Sequence, residues 1–149
     1  ICKKAKEKNI PVVFDGGSWK FTTEAILPYI DIAICSEQFL PPGCNCFTDA
    51  IFYLQHKGVK MSAITRGEKS IKWSSGKNID SLDVNKTNSI DSLGAGDVFH
   101  GAFIWFMFKF SNFELALKEA SNIATFSTRY KGASEWMKHI KTGDINLTV

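Results

Sequence analysis

The residues with the clearest capacity for chemistry form the run DSLGAGD at positions 91–97. An apolar, helix-periodic stretch follows from Ala95, so the run predicts the first turn of a helix. First-turn amides have no partner inside a helix, and the positive end of the helix dipole lies there, which together favour a bound anion. Glycine at 94 and 96 keeps side chains out of the way of that anion. The run therefore predicts an anion site.

Asp97 places a carboxylate at this predicted anion site. An aspartate in the first turn of a helix commonly caps the helix or interacts with its dipole. A carboxylate beside a phosphate also repels it, and accepting a proton from an attacking hydroxyl gives such a placement a use. The residues alone leave both interpretations open.

The elements that must position this run follow from the hydrophobic pattern. Compact apolar runs alternate with helical patterns in the first part of the chain, which predicts a mostly parallel sheet covered by helices. Two short runs then follow without room for a helix between them, which predicts an antiparallel edge. The predicted strands lie within 10–17, 31–36, 61–65, 70–73 and 79–84, and the predicted helices of this part are 22–29 and 47–58.

From Gly94 onward the pattern is helical, with predicted helices at 95–110, from 112 or 113 to about 130, and 134–140. Four phenylalanines of the first of these helices recur at spacings of four, three and four, which is one helical stripe. Its other faces are apolar too, so the sequence predicts a helix buried almost all round. Core packing explains the stripe better than an aromatic ligand cage. The stripe consists of Phe99, Phe103, Phe106 and Phe110.

The composition suits one folded domain. Of 149 residues, 44% are hydrophobic and 22% charged, and the net charge of +3 is spread along the chain. There is no basic stripe to indicate nucleic acid binding. The longest apolar run, 98–108, is well short of the roughly 20 residues that cross a bilayer, so no membrane partner is expected. The chain starts with Ile1 and lacks a secretory signal at its start, so we expect a cytoplasmic part of a longer protein.

Neither the cysteines nor the histidines predict a metal cluster. The only close cysteine pair is Cys44 and Cys46, whose single intervening residue is fewer than zinc knuckles use. Reduced, structural or free thiols are the expectation, with metal binding as the weaker alternative. His56, His100 and His139 show no ligand spacing with one another or with the cysteines.

The run DSLGAGDVFHGAF at 91–103 resembles the second signature of the ribokinase-like, or PfkB, carbohydrate kinases. The resemblance implies a three-layer α/β fold, a mostly parallel sheet flanked by helices. It implies an ATP-dependent transfer of the γ-phosphoryl group to a hydroxyl of a sugar or sugar-like substrate. Asp97 is then the catalytic base, and the amides of Gly94, Ala95 and Gly96 form the anion hole.

The same resemblance implies nucleotide-binding roles for two further segments. The turn Thr65-Arg66-Gly67 after a predicted strand looks like the family's ATP turn. Arg66 there either pairs with phosphate or lies in solvent. The loop that holds Gly132 and Ala133 resembles the stretch beside the adenine.

Three acidic residues are candidates for the phosphate and cation chemistry of such a kinase. Asp91 is a candidate ligand of a monovalent cation, by resemblance. Asp15, at a strand end, lies near the phosphates in some relatives, or serves only to form a turn. Glu37 stands where many relatives carry an Asn-x-x-Glu motif that organises Mg²⁺, and that motif is absent here. Glu37 acts on Mg²⁺ through water or is an ordinary glutamate of a first helical turn.

By resemblance, whole kinases of this family are about twice as long as this chain. Their sugar-recognition residues and lid lie mainly in the amino-terminal half, and the lid often forms a homodimer contact. The first hypothesis is thus the carboxy-terminal, nucleotide-binding and catalytic part of a sugar kinase. One alternative is a truncated nucleotide-binding remnant without turnover. The other is a dinucleotide-binding oxidoreductase, which is disfavoured because Gly16-Gly17-Ser18 after the first strand does not begin a Gly-x-Gly-x-x-Gly motif. The acceptor is left undetermined.

Overall fold

A computed structural model describes residues 1–140 of the chain. The chain forms two compact units, of which the first is Ile1–Asp83 and the second begins at Val84. Among the described residues, no helix has the length and apolar character needed to cross a membrane.

The first unit is built on a five-stranded mixed sheet in which strand order follows chain order. The first three strands pair in parallel and the last two in antiparallel fashion, which confirms the prediction of a parallel sheet with an antiparallel edge. The strands are β1 (Val13–Gly16), β2 (Ile32–Ser36), β3 (Met61–Arg66), β4 (Lys69–Ser74) and β5 (Asp80–Leu82).

The helices of this unit are α1 (Cys2–Glu7) and α2 (Phe47–His56). Gly58, at φ 93°, adopts the left-handed conformation just beyond α2, as the prediction of a glycine-closed helix requires. The predicted helix 22–29 is wrong, because the segment forms two 3₁₀ turns, Phe21–Thr23 and Leu27–Tyr29. Pro28 gives the reason, since its ring lacks an amide hydrogen and clashes with the preceding turn of an α-helix.

The core of the first unit lies around β2, whose residues 32–35 are all buried. Continuous burial is typical of a central parallel strand covered on both faces. One face of α2, formed by Ala50, Ile51 and Leu54, belongs to the same buried cluster. Phe39 packs edge-on against Phe14 and Trp19, with ring centroids 5.9 and 5.5 Å apart.

The second unit pairs two long helices, α3 (Ala95–Phe110) and α4 (Phe113–Ser127). The side chain of Asn112 caps α4 by accepting a hydrogen bond from the Leu115 amide at 2.9 Å. The predicted third helix at 134–140 is a single 3₁₀ turn, Glu135–Lys138. Three of the four phenylalanines of the stripe, Phe99, Phe103 and Phe106, are buried, which confirms their role in the core.

The prediction that α3 is buried almost all round is wrong. Ile104, Trp105 and Phe108 expose 53%, 59% and 85% of their surface. The periodicity correctly marked one buried stripe, but apolar residues on the other faces of a helix need a second covering surface.

Candidate functional site

The site begins at the amino terminus of α3, where the chain turns sharply into the helix. Gly94 precedes the helix in the left-handed conformation, φ 75° and ψ 2°, and no side chain caps this end. The amide of Ala95 donates to the Ser92 carbonyl at 3.1 Å, and that of Val98 donates to the Gly94 carbonyl at 2.9 Å. Between them lie the first-turn amides of Gly96 and Asp97, which the helix itself does not use. The turn therefore presents amides and a positive dipole end toward one place.

Gly94 is enclosed by two other candidate residues. A Cβ atom built on Gly94 lies 3.2 Å from the Cβ of Ala133 and 4.0 Å from a carboxylate oxygen of Asp97. The structure thus brings together the predicted anion-hole glycine, the predicted base and the predicted adenine-side alanine. Asp97 itself is exposed.

A cleft of about 470 Å³ opens beside these residues. Asp97 is the one charged side chain in its lining, and the other walls are mostly apolar. Gly101 and Ala102, the small pair one helical turn after Asp97, leave the space that the cleft occupies. The lining comprises Gly94, Asp97, Val98, Gly101, Ala102, Trp105, Ile123, Ala133, Trp136 and Met137.

The sequence did not identify the aromatic part of this cleft. Trp136 is 8% exposed and its indole N–H donates to the Ala133 carbonyl at 2.8 Å, which fixes the ring against the loop. Trp105 forms a further part of the lining. Nothing in the local pattern around these tryptophans signals a cleft, because the cleft exists only where α3, α4 and the loop after α4 converge.

His100 is a second residue whose role sequence reasoning missed. Its Nδ1 atom lies 2.8 Å from the carbonyl oxygen of Gly96, one turn earlier in α3. For this contact to be a hydrogen bond, Nδ1 carries the proton and donates it. The ring thereby holds the backbone of the turn that bears Asp97.

Asp91 ties the loop before α3 to the loop after α4. One carboxylate oxygen accepts from the Leu93 amide and the other from the Gly132 amide, both at 2.9 Å. The amides of Ile90 and Asp91 add two bonds to the Thr128 carbonyl, at 2.7 and 3.0 Å. The bonds to Gly132 and Thr128 span about forty residues of sequence and set the distance between the two loops that line the cleft. The role of Asp91 as a ligand of a monovalent cation stays a prediction.

The two amide hydrogen bonds, first from Leu93 and then from Gly132, hold the pKa of Asp91 below its usual range. A carboxyl whose pKa falls on folding stabilises the fold above its unfolded pKa of about 3.9, and that contribution disappears as the pH falls through the folded pKa.

Asp91→Asn is therefore expected to lower the melting temperature at pH 7, with a difference from wild type that shrinks as the pH falls below about 4. The asparagine side chain keeps the size of the aspartate, but its NH₂ group replaces one acceptor oxygen with a donor that faces a backbone N–H. Thermal melts from pH 7 to pH 2.5 measure the effect, and Asp83→Asn, at an exposed position, is the matched control. A difference from wild type that is equal at both ends of the pH range contradicts the role of the Asp91 carboxylate.

Within the first unit, the predicted ATP turn after β3 meets Glu37. The Glu37 amide donates to the Thr65 carbonyl at 3.0 Å. The Glu37 carboxylate lies 3.9 Å from Nε of Arg66 and 3.7 Å from Nζ of Lys69. The structure thus brings Glu37, Thr65 and Arg66 together at the carboxyl ends of β2 and β3, and their roles toward a nucleotide stay predictions.

The Arg66 side chain packs against the protein, and its pairing with phosphate stays a prediction. Its side chain is 17% exposed, and the guanidinium lies 4.6 Å from the centre of the Phe47 ring. Nη1 donates to the Ser70 carbonyl at 3.4 Å, whereas buried Nε has no hydrogen-bond partner among the described residues. A mostly shielded guanidinium with a donor that lacks a hydrogen-bond partner is suited to an added acceptor.

The two acidic candidates for magnesium lie at the carboxyl ends of strands. Asp15 is exposed within β1, and Glu37 follows β2 in a turn, so Glu37 is not a glutamate of a first helical turn. The Ser36 hydroxyl donates to the Gly17 carbonyl and links these two strand ends. Among residues 1–140, no group of three or more His, Cys, Asp or Glu side chains is arranged to hold a metal ion. Arg66 and Lys69 lie beside Glu37, so this neighbourhood is cationic. A cationic neighbourhood fits a Mg²⁺ that is carried by phosphates better than a Mg²⁺ that is held by protein ligands.

The four cysteines are free thiols. Burial raises the pKa of the Cys35 thiol, and the nearby Asp15 carboxylate adds to that shift. Cys35 is therefore an unreactive core residue.

Comparison with known proteins gives a consistent result. A model described as pfkB family carbohydrate kinase matches residues 1–140. The deoxyribokinase of Salmonella typhi is 33% identical over 79 residues, which are 53% of this chain and 26% of that protein. The neighbouring solved structures show the ribokinase-like fold, which confirms the predicted fold class, and the chain spans about half of their length.

Three solved structures illustrate the likeness. A ribokinase II from E. coli in its apo form has a TM-score of 0.80 at 20% identity, covering 92% of this chain and 49% of that one. A ribokinase of Arabidopsis thaliana complexed with ribose and ATP has a TM-score of 0.78 at 24% identity, covering 91% and 46%. The E. coli ribokinase II in complex with ATP and Mg²⁺ has a TM-score of 0.69 at 20% identity, covering 93% and 44%.

Proposed function

Because this chain belongs to the pfkB family of carbohydrate kinases, we propose that it provides the nucleotide-binding and catalytic part of an ATP-dependent phosphotransferase. The acceptor is a hydroxyl of a sugar or sugar-like molecule. The observation that carries the proposal is the first turn of α3, where Asp97 lies exposed beside amides unused by the helix and lines a cleft.

In the proposed reaction, the Asp97 carboxylate accepts the proton of the acceptor hydroxyl as its oxygen attacks the γ-phosphorus. The bond from that phosphorus to the β,γ-bridging oxygen breaks, and ADP leaves with the electron pair. Negative charge on the transferring group is stabilised by the amides of the turn 94–97 and by the dipole of α3. Gly94, Ala95 and Gly96 keep this surface free of bulky side chains, so a phosphoryl group can reach the backbone.

Each unit has its own candidate residues for contacting ATP, and each set has its own support. In the first unit, Nε of Arg66 has no hydrogen-bond partner among the described residues, which suits a phosphate oxygen. Residues 65–67 lie at the carboxyl end of β3, where ligands bind in α/β sheets. In the second unit, Gly132 and Ala133 lie on the loop that Asp91 ties to the start of α3.

Magnesium, when bound, neutralises charge on the phosphates. We assign it to the nucleotide, with Asp15 and Glu37 as the candidate carboxylates of the first unit. A cytoplasmic location, which suits four free thiols, and a homodimer of the whole protein remain parts of the proposal.

Pentoses are the first acceptors to test. The relatives include a deoxyribokinase and a ribokinase complexed with ribose. An acceptor hydroxyl must reach Asp97 through the cleft of about 470 Å³, which has ample room for one sugar ring. The apolar lining offers few hydrogen-bond partners for the other hydroxyls, so sugar selectivity must come mainly from groups outside this lining.

A second candidate function is nucleotide binding without turnover. The chain spans about half of the length of its solved neighbours, and this observation favours it.

One experiment separates the two functions. Calorimetry and thermal melts of the chain with ATP and Mg²⁺ measure binding, and a ligand at 100 times its Kd raises the free energy of unfolding by about 2.7 kcal/mol. ADP release with ribose or deoxyribose then measures turnover. Binding with turnover supports the kinase, binding alone supports the second candidate, and no binding of ATP contradicts both.

A further inference from the structure

The Arg66 side chain lies at the end of a tight hairpin in the first unit. Strands β3 and β4 are joined by a short turn in which Gly67, at φ 61°, adopts the left-handed conformation. Arg66 and Lys69 are partners in the register of the two strands, so the hairpin places two cationic side chains side by side. The Lys69 side chain is 60% exposed, whereas that of Arg66 is 17% exposed. The neighbours of Arg66 therefore decide where its guanidinium lies.

Hydrogen bonds and ion pairs do not fix the guanidinium by themselves. The bond from Nη1 to the Ser70 carbonyl measures 3.4 Å, which is long for such a bond. The Glu37 carboxylate lies 3.9 Å from Nε, too far for a hydrogen bond, and it is shared with Lys69. Nε has no hydrogen-bond partner among the described residues. The orientation of the guanidinium is therefore left to packing.

The aromatic ring of Phe47 supplies that packing. The Cζ atom of Arg66 lies over this ring, 4.6 Å from its centre. A cation at the face of an aromatic ring is attracted by the negative charge of the ring face. The ring takes up none of the ordinary acceptor-seeking capacity of the guanidinium, so N–H groups stay available for a ligand oxygen.

The ring is itself held by a rigid element. Phe47 is the first residue of α2, and the Asn45 amide donates to the Asp49 carboxylate at 2.8 Å across the start of this helix. Phe47 also packs against the buried cluster that contains Leu54. A phenylalanine has two side-chain torsions, far fewer than an arginine has. The fixed ring therefore sets the place of the flexible Arg66 side chain.

We propose that Phe47 is a positioning residue for nucleotide binding and acts through Arg66. The inference rests on the proposed function, in which Arg66 pairs with a phosphate of ATP. A guanidinium that is already held in place loses less conformational freedom when it binds a phosphate than a mobile one does. The amino terminus of α2 thus contributes to the ATP turn after β3 through one ring.

The test titrates ATP with Mg²⁺ into the 149-residue chain and its variants by calorimetry. Phe47→Leu is expected to raise the Kd for ATP about fivefold, the usual effect of losing one cation–ring contact. Phe47→Tyr keeps the ring and is expected to bind like wild type. Tyr53→Leu is the matched control, because Tyr53 also lies in α2 and its ring faces a different cation, Lys57, at 5.3 Å. We expect wild-type affinity from this control.

A double-mutant cycle separates positioning from a merely structural role. In the Arg66→Met background, Phe47→Leu is expected to cause no further change in Kd, because the ring acts through the guanidinium. A ring that only supports the fold would weaken binding equally in both backgrounds. Thermal melts verify that each variant is folded, and Phe47→Met, which also lacks a ring, replaces Phe47→Leu if the latter unfolds.

The outcomes distinguish this inference from the proposed function. A wild-type chain that does not bind ATP overturns both. Wild-type binding with a Phe47→Leu variant that binds as tightly as Tyr53→Leu overturns this inference alone. Equal losses with and without Arg66, or unfolding of both Phe47→Leu and Phe47→Met, also overturn it, because the ring is then structural.

Discussion

Asp97→Asn is expected to lower the rate of sugar phosphorylation by about 10²–10⁴-fold, the usual contribution of a general base. Asparagine keeps the size of the side chain and removes its ability to accept the proton. ATP affinity is expected to stay the same or rise slightly, because a negative charge leaves the vicinity of the phosphates. ADP release with ribose and deoxyribose measures the rate.

Glu114→Gln is the matched control for this variant. Glu114 is an exposed carboxylate in the first turn of α4, so its amide variant loses the same charge at the same kind of helical position. We expect wild-type rates from it. A phosphorylation rate of Asp97→Asn close to that of Glu114→Gln would show that Asp97 is not the base.

Gly94→Ala and Gly96→Ala test two different properties of the turn. The first tests its backbone conformation, and the second tests whether phosphate can reach its amides. Gly94 has φ 75°, where an L side chain costs roughly 1–2 kcal/mol, and its new Cβ would stand 3.2 Å from Cβ of Ala133. Gly94→Ala is therefore expected to lower the melting temperature by several degrees and to lose ATP binding.

Gly96 lies inside α3, and a Cβ there meets nothing within 4 Å. Alanine at this helical position is expected to stabilise the fold by roughly 0.5–1 kcal/mol. ATP affinity should nevertheless fall about tenfold or more, because a methyl group beside the amides displaces one hydrogen bond to a charged oxygen. Thermal melts and calorimetry measure both quantities, and an unchanged ATP affinity in Gly96→Ala contradicts the anion hole.

Much of the fold was predictable because its signals are local. The apolar run at 31–36 is a buried central strand, and the phenylalanine stripe of α3 is buried where the period indicated. The predicted helices at 22–29 and 134–140 failed for local reasons as well. Pro28 interrupts the first, and the second is too short to sustain α-helical hydrogen bonds without packing.

The candidate site was predictable only in its first turn. The run 91–97 predicted the start of a helix, with free amides beside its glycines and a carboxylate in its first turn. Trp105 and Trp136 could not be found this way, since they line the cleft only after α3, α4 and the following loop have converged. The link from Asp91 to Gly132 likewise joins positions 41 residues apart.

The sequence by itself determined where α3 begins, which residues of its first turn can meet an anion, and the alternation of strands and helices. These properties depend on neighbours within a few residues, and hydrophobic periodicity reports them directly. Only the tertiary structure decided that Ala133 lies against Gly94, that Asp91 bridges two loops, and that Phe106 of α3 is buried while Phe108 is exposed. Periodicity shows that a residue is apolar, but the path of the whole chain decides which surface covers it.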